Sequence, residues 1–202
     1  MPVEPNDYAL IDVAQYLTYI GETDPNATGE NKDHLQTLIN MISQRISRYC
    51  GRKFRYTADA TEKFAGDGTS LYRVINWPLI SVSLLEEWNP GTQDWDELTT
   101  TQYPRSVDTD HHVVHLNQEA KFTCRNYNAY RITYTYGWAL GNVNDDLVLA
   151  TCQLVQRAVM KSEKDMEGTT SRTIADQTTS FDLGQWPKDV LMILGEYVRR
   201  LY

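Results

Sequence analysis

The densest group of potential metal ligands is His111-His112-Val-Val-His115, three imidazoles within five residues. On a strand, His111 and His115 share a face, and Cys124 follows nearby. Imidazole and thiolate together suit zinc, and imidazole alone suits zinc or nickel. Strand spacing, however, provides no preformed tetrahedron, and no histidine pair stands at helical i, i+4 spacing. The plainer reading is a polar strand edge, with a pH-sensitive contact as a further option. Asp145-Asp146 has the composition of a paired-carboxylate site. The two acids also stand where a helix start wants negative charge, and that accounts for them. Gly66-Asp-Gly68 lies between strand-like runs and reads as a tight turn, since no helix follows to cradle a phosphate. There is no nucleophile elbow and no glycine-rich phosphate loop. We therefore assign no catalytic residue, metal or cofactor and expect no enzyme; the alternative is a metal-binding protein or enzyme built on His111, His112 and His115.

The elements that would position these residues are legible in part. Asp145 to about Met166 carries two apolar stripes. Leu147, Ala150, Leu154 and Ala158 form one; Val148, Cys152, Val155 and Val159 form the other. Asn144 precedes them as a cap. Such a helix must be covered on both sides by its own chain, or on one side by a neighbour. A short helix is expected from Asp12, with a capping box to Gln15 and a stop at Gly21. A second, with Leu35, Leu38, Ile39, Ile42, Ile46, Tyr49 and Cys50 on one face, ends at Gly51. Thr61–Ala65, Leu71–Ile75, Ile80–Trp88, Val113–Leu116 and Tyr130–Tyr136 read as strands. Gln93–His112 is polar and weakly patterned; a short strand near Gln102–Tyr103 and a mobile loop are expected. Glu167–Gln185 reads as a β-hairpin or an extended arm. Trp186-Pro187 opens a strongly apolar last helix.

These elements add up to an α+β chain, mainly a bundle of about four helices, with an inserted small antiparallel β module and a Thr/Ser-rich arm before the last helix. The expected divisions are 1–56 for the N-terminal helices, 57–138 for the β module and 139–202 for the central helix, arm and C-terminal helix.

Composition narrows the function classes. The 202 residues are 41% hydrophobic and 23% charged, as in an ordinary globular protein. No apolar run approaches the roughly 20 residues that span a bilayer. The N-terminus lacks signal-peptide features, so a soluble, cytosolically made protein with no membrane contact is expected. Cys50, Cys124 and Cys152 make a poor disulfide framework, and Cys50 and Cys152 read as buried hydrophobes. The net charge of −8 opposes a general DNA-binding surface. The tryptophans, with no interleaved cations, are expected as core or interface anchors. Residues 1–33 and 86–119 are acidic, whereas Arg45, Arg48, Arg52, Lys53 and Arg55 form a basic cluster without an acid. Opposite patches on one molecule suit head-to-side association of copies; a solvated helix end is the alternative.

The succession of phrases resembles a known family. Tyr49-Cys-Gly-Arg-Lys-Phe54 closes the second helix. Phe64-Ala-Gly-Asp-Gly68 and Trp77-Pro-Leu-Ile-Ser-Val82 lie in the β insertion. Ile132-Thr-Tyr-Thr-Tyr-Gly-Trp138 leads into Val143-Asn-Asp-Asp-Leu147, and Trp186-Pro opens the helix that closes on Tyr197-Val-Arg-Arg200. From about residue 8 to 202 the chain resembles the head–tail connector (adaptor, or head-completion) proteins of tailed bacteriophages and gene-transfer particles. It departs at Asn144, where relatives commonly carry proline. The resemblance implies a virion structural protein of the neck, assembled in the host cytoplasm as a ring, commonly of twelve copies. Such a ring sits beneath the portal protein, extends the DNA channel without specific DNA binding, and receives the next neck or tail component, a stopper or tail terminator. On that reading Arg45, Arg48, Arg52, Lys53, Arg55, Thr169, Thr170, Ile174 and Phe181 are expected at subunit interfaces. Trp186, Tyr197, Arg199, Arg200 and Tyr202 are expected at the portal.

Overall fold

The computed structural model describes residues 3–22, 29–99, 105–116, 120–125, 127–163, 171–174, 177–180 and 186–198. It divides the chain into two compact units. One joins Met1–Gly51 to Leu140–Tyr202, and the other is Arg52–Ala139.

The first unit is helical. In α1 (Val13–Tyr19), Asp12 caps the start and forms the full capping box with Gln15. The Gln15 amide donates to the Asp12 carboxylate at 2.7 Å, and the Asp12 amide donates to the Gln15 side chain at 3.1 Å. α2 (Gly29–Cys50) ends at Gly51, whose φ of +68° suits glycine. α3 (Asp145–Glu163) begins with the Asn144 side chain accepting from the Asp146 amide at 3.0 Å. α4 (Lys188–Tyr197) follows Pro187. Ile11, Tyr16, Ile39, Cys152 and Val155 form a core, with Leu35, Ile42, Val148 and Val159 packed on it. Leu147 and Ala150 on the other α3 stripe are also fully buried. The chain itself thus covers much of both stripes, while Leu149 and Met160 stay exposed. Cys50 and Cys152 are both buried and form no disulfide, and burial pushes the Cys152 thiol up to about 11. The first unit also carries a two-stranded hairpin, β8 (Ser171–Ile174) on β9 (Gln177–Ser180).

The second unit is built from β1 (Thr57–Phe64), β2 (Leu71–Arg73), β3 (Leu79–Asn89), β4 (Asp94–Glu97), β5 (Arg105–Asp108), β6 (Val113–Leu116) and β7 (Tyr130–Tyr136). They form two antiparallel sheets, in the orders β1-β7-β3-β4 and β2-β6-β5. β7 alternates buried and half-buried along its whole length, so its tyrosines at 130, 134 and 136 and Ile132 enter the core. Phe64, Leu85, Val114 and Phe122 join them.

This corrects the expected fold class. Among the described residues, helix accounts for about 34% and strand for about 28%, with four helices, seven strands in the two sheets of the second unit and the β8–β9 hairpin besides, so the protein is not mainly a helical bundle. The shortfall lies in 93–112, which supplies β4 and β5. Their residues, Asp-Trp-Asp-Glu and Arg-Ser-Val-Asp, are mostly exposed. They are strands because partners hold them there, with Trp88 opposite Trp95 and Val107 opposite Val114, and not because of an apolar period. The short strand expected near Gln102–Tyr103 lies outside the described residues.

Candidate functional site

The histidines do not converge. His111 sits in the turn before β6 and not on a strand; its Nδ1 lies 2.8 Å from Asp108 Oδ2 at the surface. His112 turns the other way. Its ring stacks on Trp77, with centroids 4.9 Å apart and planes 14° apart, and its Nδ1 accepts a hydrogen bond from the Leu79 amide at 3.3 Å. Its carbonyl accepts from the Val74 amide at 3.2 Å, so His112 pins both ends of the turn from β2 into β3. His115 lies on β6 opposite Leu71 and Ser106, and Cys124 is exposed. Among the described residues no three His, Cys, Asp or Glu side chains are grouped to hold a metal ion.

His112 acts as a structural acceptor, and this has a consequence in pH. Burial is the main cause of its lowered pKa, and the charges of Arg52 and Arg73 add to it. The Thr109 backbone and Asp108 oppose the shift. Because the folded state takes up this proton less readily than the unfolded chain, the contribution is present above about pH 6.5 and declines as pH falls below it. His112→Asn keeps an acceptor and tolerates the φ of +58° at this position. Melting curves from pH 7.5 to 5 are expected to fall less steeply for His112→Asn than for the parent chain.

The basic cluster separates into two settings. Arg45 and Arg48 are exposed on α2. Arg45 lies over Trp186 at 5.3 Å, and Trp186 in turn packs on Tyr49 at 5.1 Å, which ties the start of α4 to α2. Arg52 and Arg55 are half-buried in the other unit, and Arg52 lies 4.4 Å from the Trp77 ring. Arg55 pairs with Trp138 in an isolated bridge. Lys53 is exposed, and its amide donates to Asn76. Of the residues expected at the portal, Trp186 is half-buried as described. Tyr197 is buried, and burial first, then Asp146 and Glu196, push its phenol up to about 12. Ile174 belongs to β8. Thr169, Thr170, Phe181, Arg199, Arg200 and Tyr202 lie outside the described residues.

What sequence reasoning missed is a buried carboxylate. Glu62 on β1 accepts from the Tyr134 hydroxyl at 2.6 Å, from the Ile75 amide at 3.2 Å and from the Tyr72 hydroxyl. It thereby links β1 and β7 of one sheet to β2 of the other. Burial, then the Glu62 charge, holds the Tyr134 phenol protonated well above the ordinary tyrosine range. Glu86 is likewise buried, taking a two-pronged contact from Arg131. Nothing in the local pattern marks either acid as internal. Both networks join elements of the fold.

Residues 9–201 match the head completion protein family. The chain belongs to this family. A search of curated proteins finds no match. Among solved structures, this head completion protein is similar to a chain of "Neck of empty GTA particle computed with C6 symmetry", at 11% identity and TM-score 0.58, covering 99% of this chain and 95% of that one. A chain of "Neck of native GTA particle computed with C12 symmetry" matches at 10% identity and TM-score 0.56, with 99% and 94% covered. One from "Virion of native gene transfer agent (GTA) particle" matches at 11% and 0.57, with 100% and 96% covered. At such identities the likeness is one of fold, and it extends over both units.

Proposed function

We propose that this head completion protein is a non-enzymatic connector of the neck, forming a ring under the portal protein that continues the DNA channel toward the tail. The family match across 9–201 carries the reading. The fold shared with neck chains solved under six- and twelve-fold symmetry supports the ring, and twelve copies are the proposed number. Its buried polar groups tie strand to strand, as expected of a part whose work is shape. The next neck or tail component, a stopper or terminator, would dock on the ring's far side. With a net charge of −8, the protein suits a lumen along which DNA slides without being held.

Tyr197 and Trp186 are engaged within the chain's own helical unit, so we place the portal contact chiefly on Arg199, Arg200 and Tyr202. Removing the whole segment 188–202 would also remove Val190 and Leu194, both fully buried. Truncation after Val198 is therefore the informative variant. Particles made with it are expected to yield DNA-filled heads and free tails at the expense of joined particles, scored by electron microscopy. Joined particles at the parental level would refute the assignment of the chain end to the portal.

A further inference from the structure

Gly195 is out of place in α4. A glycine inside a helix costs about 1 kcal/mol relative to alanine. Here a Cβ would meet nothing within 4 Å, and the backbone has no positive φ to require glycine. Nothing among the described residues packs there to account for it, and the open space suits close approach by another molecule. Its surroundings say what approaches. Met192, one turn earlier, is 77% exposed, the most exposed large hydrophobic side chain described. Asp189 and Glu196 flank it on the same outer face, with Lys188 at the helix start. The opposite face, Val190, Leu194 and Tyr197, is buried in the protein's own core.

α2 presents a second outward face of matching character. Met41 is 61% exposed, and Arg45 and Arg48 lie one and two turns beyond it on the same side, with no acid among the exposed residues from Thr37 to Tyr49. One face thus offers a methionine with two carboxylates on one side and Lys188 on the other, beside a gap in the helix surface. The other offers a methionine followed by two guanidinium groups. No ion pair joins the two sets among the described residues.

We propose that these faces meet between copies, the α4 face of one subunit (Asp189, Met192, Gly195, Glu196) receiving the α2 face of the next (Met41, Arg45, Arg48). Two different patches on one molecule make a heterologous contact, which closes into a ring when the rotation allows. Gly195 lets the neighbouring helix come close, the methionines fill the centre, and the charges set register and partner. The contact rests on the ring reading given above.

The test uses full-length protein and portal rings of the same particle, scored by electron microscopy, with melting temperature as the control for folding. Gly195→Leu adds a better helix former into open space, so it should melt no lower than the parent chain while ring assembly falls more than about tenfold. Arg45→Glu with Arg48→Glu should block assembly, as should Asp189→Lys with Glu196→Lys. Mixing the two reversed proteins in equal amounts should restore it, because each acidic face then meets a basic one. Parental assembly by Gly195→Leu would overturn the proposal. So would loss through the α4 variants without loss through the α2 variant, which would assign the α4 face to another partner. Failure of the parent chain itself to ring on the portal would instead remove the ring reading, and this contact with it.

Discussion

Gly137→Ala is expected to destabilise the β unit by about 3–5 kcal/mol, enough to unfold a domain of ordinary stability. Gly137 has a φ of +91°, and a Cβ there would lie 2.3 Å from the Arg55 carbonyl oxygen and 2.7 Å from that of Phe54. Both neighbours are backbone, so no rotamer change relieves the clash. Retreat is also blocked, because hydrogen bonds clamp the segment on each side. The Trp138 amide donates to the Phe54 carbonyl and the Tyr56 amide to the Trp138 carbonyl, both at 2.8 Å; the Gly137 amide donates to Pro78 at 2.9 Å. Strain from the left-handed backbone adds to the overlap. Chemical denaturation, followed by tryptophan fluorescence, measures the loss. A change below about 1 kcal/mol would mean that the chain passes Arg55 at greater distance than described.

Glu62→Ala is the second large effect, expected at about 3–4 kcal/mol. It strips an acceptor from two tyrosine hydroxyls and one amide at a position only 9% exposed. Unpaired donors in a low-dielectric interior cost more than the bonds contributed. Tyr134→Phe should cost less, about 1–2 kcal/mol, because Glu62 keeps Tyr72 and the Ile75 amide. A double-mutant cycle separates the two. If Glu62→Ala costs no more than Tyr134→Phe, the carboxylate does not organise the joint between the sheets.

The helices were legible because their signals are local and redundant. Asp12 and Gln15 show a capping box, Asn144 stands where an acceptor is needed, and α2 repeats its apolar face over most of its length. β7 was legible for the same reason, since Tyr-Arg-Ile-Thr-Tyr-Thr-Tyr alternates without a break. β4 and β5 were not, because what holds them is the strand each pairs with and not a pattern of their own. Trp95 packs on Trp88 and under Arg131, and none of that is encoded in Asp-Trp-Asp-Glu itself. This is why the share of strand was underestimated. Glu62 escaped notice for a related reason. An acid in Thr-Glu-Lys is an exposed residue by default, and only the tyrosines brought by β2 and β7 make it an interior one. The histidine cluster differs in its local backbone. Its sequence reads as a polar strand edge with His111 and His115 on one face, whereas a turn at His111 and a left-handed backbone at His112 send the rings to different partners. Gly195 was visible as a glycine inside an apolar helix, but only the empty space around it makes it informative.

The central claim, that this head completion protein builds a ring on the portal, is tested most directly by mixing purified protein with portal rings of the same particle and imaging the product by electron microscopy. The account predicts a second ring, coaxial with the portal and with an open central channel. Bare portals beside unassembled protein, at concentrations well above micromolar, would contradict it.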